Sequence, residues 1–187
     1  MALKKIHERF DSAPAERDQG RMVEIWFYDE GRFGLKPCTG RTWAKRGKRP
    51  LAYVKPGYKN FYLFTAVNPV TGEEFTLQLP EVNTEMMNLY LAHFREVSKD
   101  SHIILVVDGA GWHRAKDLVL PSGIELLHLP PYSPELNPVE RLWQWLRRHV
   151  CRNRIFDSLE ELASALTLVW PKLTPTFLAS LCRCNYL

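Results

Sequence analysis

Four prolines fall within nine residues, Pro130, Pro131, Pro134 and Pro138. No other stretch restricts the chain so tightly. Each proline fixes its own φ and steers the residue before it away from helix. The segment Leu129-Pro-Pro-Tyr-Ser-Pro-Glu-Leu-Asn-Pro-Val-Glu-Arg-Leu-Trp143 therefore ends a strand, turns a stiff corner and starts a helix. Asn137 reads as the N-cap and Pro138 as the first helical residue, where a missing N–H costs nothing. That places Glu140 in the first turn. A corner this rigid exceeds what a change of direction needs. It predicts that something early in the helix is held in place, and Glu140 is the candidate.

The remaining chain supplies a frame for this corner. Residues 22–28 are β-branched and aromatic and read as a strand. It runs into Asp29-Glu30-Gly31, which sets two carboxylates at its C-terminal end. Residues 60–67 and 73–79 flank the turn Asn68-Pro-Val-Thr-Gly72 and form an antiparallel hairpin. Asn83-Thr84 caps a helix over 85–97, with Met86, Leu89, Tyr90, Phe94 and Val97 on its apolar face and Met87 and Leu91 widening it. Residues 101–108 read as a strand whose unbroken apolar run, 103–107, is closed by Asp108, the pattern of a strand buried on both faces. A short helix over 112–120 and a second buried strand over 123–129 follow. The helix from Pro138 runs to about 153. Asp157-Ser158 with Glu160-Glu161 caps a further helix to about 170, and a last helix spans 176–182. An antiparallel meander that gives way to strand–helix–strand units predicts an α/β chain, a mixed five-stranded sheet flanked by helices. The expected division is a tail or helix over 1–20, a main domain over 21–156 and a helical extension packed on it over 157–187.

Composition narrows the class. With 187 residues, 45% hydrophobic and 25% charged, the chain is of ordinary globular type. It has no apolar run of eighteen residues and no secretory h-region, so neither a membrane span nor an export signal is expected. Cys38, Cys151, Cys182 and Cys184 are too few and too badly spaced for a disulfide framework or a zinc site. They read as reduced thiols of a cytoplasmic protein.

The net charge of +4 is modest, but its distribution is uneven. No Asp or Glu occurs over 31–60. The same segment carries Arg32, Lys36, Arg41, Lys45, Arg46, Lys48, Arg49, Lys55 and Lys59, with Phe33, Trp43, Tyr53 and Tyr58 interleaved. One-signed clustering with stacking side chains is the footprint of a phosphate-backbone partner. A solvated lysine-rich loop is the plainer alternative. A second basic run, Arg141, Arg147, Arg148, Arg152 and Arg154, follows Asn137. The residues expected to touch nucleic acid are Arg32, Arg41, Trp43, Lys45, Arg46, Lys48, Arg49, His113 and Arg141. Trp26, Trp143 and Trp145 read as packing.

Three acids stand out by placement. Asp29 and Asp108 end strands, and Glu140 lies one turn into a helix. Such a cluster repels itself unless cations occupy it, and hard divalent ions with oxygen ligands, Mg²⁺ or Mn²⁺, suit it. Two such ions serve phosphodiester chemistry. Each acid has a structural alternative. Asp108 before Gly109 fits a plain strand-to-turn aspartate. Asn137-Pro-Val-Glu140 fits a capping box, in which Glu140 bonds back to the Asn137 N–H. His113 reads equally as a core histidine, a partner of Asp108 or a phosphate contact.

Three segments resemble bacterial insertion-sequence transposases of the mariner superfamily. They are Trp26-Phe-Tyr-Asp-Glu-Gly-Arg-Phe33, Val106-Val-Asp-Gly-Ala-Gly-Trp-His113 and the proline corner with its helix. The likeness spans about 22–155. It implies a ribonuclease-H-like fold and an Asp-Asp-Glu site of Asp29, Asp108 and Glu140 holding two Mg²⁺ or Mn²⁺ ions. The 31 residues between Asp108 and Glu140 are fewer than many relatives show, a difference the loop around Pro121-Ser-Gly123 absorbs. The implied reaction is metal-dependent cleavage at the element's ends, then attack of the freed 3′-hydroxyl on target DNA at a TA dinucleotide. The implied partners are element ends and target DNA and a second copy of the chain, in the bacterial nucleoid. Such transposases carry helix-turn-helix modules before the catalytic domain, and only about twenty residues precede the first strand. This reading therefore expects an upstream-frame DNA-binding chain, separate or fused, or else a truncated copy. Two other functions stay open: a catalytically silent DNA-binding remnant and a stand-alone ribonuclease-H-like nuclease.

Overall fold

The structure, a computed structural model, describes residues 8, 22–51, 54, 55 and 57–184. The tail or helix expected over 1–20 lies, Glu8 apart, outside them, as does Tyr53. Five strands form one sheet: β1 (Met22–Gly34), β2 (Asn60–Val67), β3 (Glu74–Leu79), β4 (Ser101–Val107) and β5 (Ile124–His128), in the order β3-β2-β1-β4-β5. The β1–β2 and β2–β3 pairs are antiparallel, and β1–β4 and β4–β5 are parallel. This is the expected mixed sheet. The helices are α1 (Thr84–Val97), α2 (Val139–Leu146), α3 (Leu159–Val169) and α4 (Pro175–Leu181). Among the described residues no helix is long and apolar enough to cross a membrane.

Successive residues of a strand face opposite sides of a sheet, and β1 sorts its side chains accordingly. Ile25 and Phe27 join Ile104, Val106 and the apolar faces of α2, α3 and α4 in one core. Trp26 and Tyr28 join Phe64, Ile103, Leu105 and α1 in the other. There Tyr28 meets Tyr90 at 4.9 Å between ring centroids. Helices thus cover both faces, which is why β4 is apolar and buried from Ile103 to Val107.

Four expectations need correction. The strand expected to stop at Tyr28 continues to Gly34, so Asp29 and Glu30 lie within it. Antiparallel pairing with β2 from Phe27 to Gly34 satisfies the backbone there, whatever the local propensity. The expected helix over 112–120 is only a 3₁₀ turn, Gly111–Arg114. Beyond it, Asn88 of α1 takes the backbone groups that a helix would pair internally: Nδ2 donates to the Asp117 carbonyl at 2.9 Å, and Oδ1 accepts from Val119 N–H at 2.8 Å. The helix expected to reach 153 is α-helical only to Leu146 and then passes into a π-helical turn, Arg147–Cys151. Leu142, Leu146 and Val150 nonetheless stay fully buried on one side. Finally, α1 buries Met87, Tyr90, Leu91 and Phe94. That stripe is rotated from the expected one, and Leu89 and Val97 are exposed. Its N-cap is as expected, with Asn83 Oδ1 accepting from Met86 N–H.

Candidate active site

The parallel ladder between β1 and β4 ends at Phe27 and Val106. Past that point β1 has a neighbour on one side only, and Asp29 follows at once. By the parity of the strand, Asp29 shares the face of Ile25 and Phe27 and looks toward α2. Trp143, buried in α2, donates from Nε1 to Asp29 Oδ2 at 2.8 Å. The indole lies flat over Gly31, where a Cβ would stand 2.8 Å from Trp143 Cδ2. Glu30 has the opposite parity and turns to the face of Tyr28.

Asp108 stands one residue beyond β4. Its Oδ1 accepts from the backbone N–H of Ala110 and from His113 Nδ1, both at 2.9 Å. Glu140 sits in the first turn of α2, whose start is tied to β1 by Asn137. The buried Asn137 amide donates to the Tyr28 carbonyl at 2.9 Å and accepts from Val139 N–H at 3.1 Å. The corner therefore docks directly on the residue preceding Asp29. The capping-box alternative fails, because Asn137 N–H donates to the Pro134 carbonyl instead.

Asp29, Asp108 and Glu140 line one cavity of about 400 Å³, together with Arg114, Asn137 and the proline corner. Tyr132, fully exposed at φ 57, stands on its rim. Among the described residues no three His, Cys, Asp or Glu side chains close around a single point that could hold a metal ion. The carboxylates share the cavity but stand apart in it. Burial pushes the Asp29 carboxyl up to about 7; the Trp143 hydrogen bond opposes this, and the charges of Glu30 and Glu140 add to it. The His113 hydrogen bond holds Asp108 below the usual carboxylate range. Burial would lower His113, but its bonds to Asp108 and Glu30 outweigh that and raise it to about 9. At neutral pH His113 is a cation between two carboxylates.

The residues expected to touch nucleic acid fall into three groups. Arg41, Trp43, Lys45, Arg46, Lys48 and Arg49 are all exposed on the loop after β1. That loop is tethered at its start: Asn153, at φ 55, donates its N–H to the Cys38 carbonyl and exchanges side-chain bonds with Gly40. Arg32 is exposed on β1 and donates to Asn60 Oδ1 at 2.8 Å. Arg141 and His113 are placed otherwise. The Arg141 guanidinium donates to the Arg183 carbonyl at 2.5 Å, capping the end of α4. His113 is turned inward, with both ring nitrogens committed to carboxylates, so it has no nitrogen to offer a phosphate. Three contributors escaped the sequence reading: Glu30 as the anchor of His113, Trp143 as the donor to Asp29, and Arg114 on the cavity wall. Strand parity signals the first; nothing in the sequence signals the other two.

The family model for the DDE superfamily endonuclease matches residues 24–163. The chain belongs to that family. The matched region holds all three carboxylates. The chain is 42% identical over 113 residues to the Sinorhizobium fredii protein y4pE/y4sA, covering 60% of this chain and 84% of that one. It is 26% identical over 165 residues to the 39 kDa protein of insertion element IS630 from Shigella sonnei, covering 84% of this chain and 46% of that one. The fold matches the Mos1 strand transfer complex with a TM-score of 0.68 at 19% identity, covering 97% of this chain and 56% of that one. Mos1 mariner paired-end complexes with Mn and with Mg align over the same shares, at TM-scores of 0.67 and 0.60 and 19% and 18% identity. The architecture is thus the ribonuclease-H-like one. The chain spans about half the length of the IS630 and Mos1 proteins.

Proposed function

We propose that this chain is the catalytic domain of a bacterial insertion-sequence transposase of the mariner superfamily. The observation that carries the reading is the cavity lined jointly by Asp29, Asp108 and Glu140, which arrive from β1, the end of β4 and the start of α2. The donor set fits Mg²⁺ or Mn²⁺, since it offers only carboxylate oxygens, hard ligands that repel one another when unpaired. The Mos1 paired-end complexes with Mn and with Mg support this choice. Two such ions, when bound, supply activation of the attacking oxygen and stabilisation of the leaving one.

The chain's own residues do the rest. Trp143 and His113 each occupy one oxygen of an aspartate and leave the other for ligation. The exposed basic loop holds phosphates by charge, and Trp43 stacks on a base. In the first step water adds to a phosphorus at the element's end and the 3′-oxygen leaves with a proton. In the second, that 3′-hydroxyl attacks a phosphorus of target DNA and displaces a target 3′-oxygen. No covalent enzyme intermediate is required. The active species on DNA is a homodimer. The protein works at the bacterial nucleoid.

The test incubates the wild type and Asp108→Ala with Mn²⁺ and DNA ending in the repeats of the encoding element. Strand cuts at the repeat ends are expected from the wild type alone. Identical products from the two proteins would refute the reading.

A further inference from the structure

Glu30 is a poor candidate for a metal ligand. Its side chain is only 6% exposed. A single oxygen, Oε1, accepts from Tyr28 Oη at 2.9 Å, Trp112 Nε1 at 2.8 Å and His113 Nε2 at 3.1 Å. A carboxylate so enclosed holds its donors in place rather than reaching for an ion. The donor that leads somewhere is His113. Its side chain is 1% exposed, its ring is walled edge-on by Tyr28 and Trp112, and its far nitrogen, Nδ1, points at Asp108 Oδ1.

Asp108 needs such a hold. Its side chain is 53% exposed, and β4 ends at Val107, so no strand ladder fixes the residue. Left to itself, a half-exposed aspartate samples its rotamers freely. With His113 and the Ala110 N–H both on Oδ1, the carboxylate has one orientation and Oδ2 remains for ligation. We propose that Glu30 and His113 are a positioning pair that sets the Asp108 carboxylate, Glu30 aligning the imidazole and the imidazole aligning the aspartate. This rests on the reading of Asp108 as a metal ligand. A ligating group aligned through a hydrogen-bonded outer partner is a general device, and its loss weakens metal binding about 10–100-fold.

The test exploits the two nitrogens. An asparagine amide nitrogen falls near Nδ1 of the histidine it replaces, and a glutamine amide nitrogen falls near Nε2. His113→Asn keeps the donor to Asp108 and His113→Gln keeps only the donor to Glu30. Mn²⁺ affinity is measured by the electron paramagnetic resonance signal of free Mn²⁺, alongside melting temperature. His113→Asn should bind Mn²⁺ close to wild type, and His113→Gln about 10–100-fold more weakly. A merely structural histidine would lower both melting temperatures without separating the two affinities. Equal affinities, or the reverse order, overturn the proposal. Should the histidine variants not fold, Glu30→Gln, which keeps the acceptor, is compared with Glu30→Leu, which removes it. The glutamine variant should bind more tightly, and equality again overturns the pair. Asp108→Ala separates the two levels. If it binds Mn²⁺ like wild type, the metal-site reading fails; if it binds weakly while the paired variants match, only the positioning fails.

Discussion

The indole Nε1 of Trp143 donates to Oδ2 of Asp29 over 2.8 Å, so a core side chain of α2 is also the partner of a carboxylate in β1. Trp143→Phe keeps an aromatic ring in the core and removes the donor. Stability should fall by about 1–3 kcal/mol, the range of an ordinary core change. The Asp29 carboxyl loses the hydrogen bond that opposes its upward shift and should titrate still higher. Mn²⁺ binding measured against pH should therefore rise at higher pH than in the wild type.

Gly31 keeps the space that this tryptophan fills. A Cβ there would stand 2.8 Å from ring carbons of Trp143, well inside contact distance. Gly31→Ala should destabilise the protein by about 1–3 kcal/mol through overpacking, measured by urea denaturation. It should also displace the indole and weaken its bond to Asp29.

The metal-free and metal-bound proteins should respond to pH in opposite senses. The folded-state value of Asp29 is about 7 against an ordinary 3.8. Its contribution to stability is complete below about pH 4 and is lost as pH rises through 7. His113, raised from 6.5 to about 9, contributes fully below pH 6.5 and loses that contribution as pH rises through 9. The melting temperature of the metal-free protein should carry a downward component across this span. Mn²⁺ affinity should instead climb up to about pH 7, because ligation requires the ionised carboxylate. Calorimetry in buffers of different ionisation enthalpy should detect proton release on binding below pH 7.

Asn137 is buried and serves two backbone groups, the Tyr28 carbonyl and the Val139 N–H. Asn137→Ala leaves both unpaired. Each such group costs about 1–3 kcal/mol, so a loss of about 2–6 kcal/mol is expected in chemical denaturation. At temperatures where the variant stays folded, cleavage should drop further than for a change of equal stability cost in α1, since the start of α2 carries Glu140.

The basic loop should matter to DNA and not to the fold. Trp43 is fully exposed, and its charged neighbours are exposed as well. Trp43→Ala should leave the melting temperature unchanged and weaken single-stranded DNA binding by about 1–3 kcal/mol if a base stacks there. Neutralising Lys45 and Arg46 should lower the slope of log affinity against log salt by about 0.9 for each phosphate contact removed from duplex DNA.

Local patterns in the chain were enough to reveal the five strands, the hairpin turn, the cap of α1, the corner before α2 and the prominence of Asp29, Asp108 and Glu140. Proline geometry, capping and hydrophobic period act over a few residues, so a sequence displays them directly. Tertiary structure decided the rest. Strand β1 runs past Asp29 because β2, more than thirty residues away in sequence, pairs with it. The 112–120 segment is not α-helical past its 3₁₀ turn, because Asn88 of another element takes the backbone groups there. Trp143 is both core and carboxylate partner because strand parity turns Asp29 toward α2. The same parity turns Glu30 away, to the opposite face, where it meets His113 from a distant loop. Such partnerships depend on which side chains the folded chain brings within about 3 Å, the range in which a hydrogen bond forms.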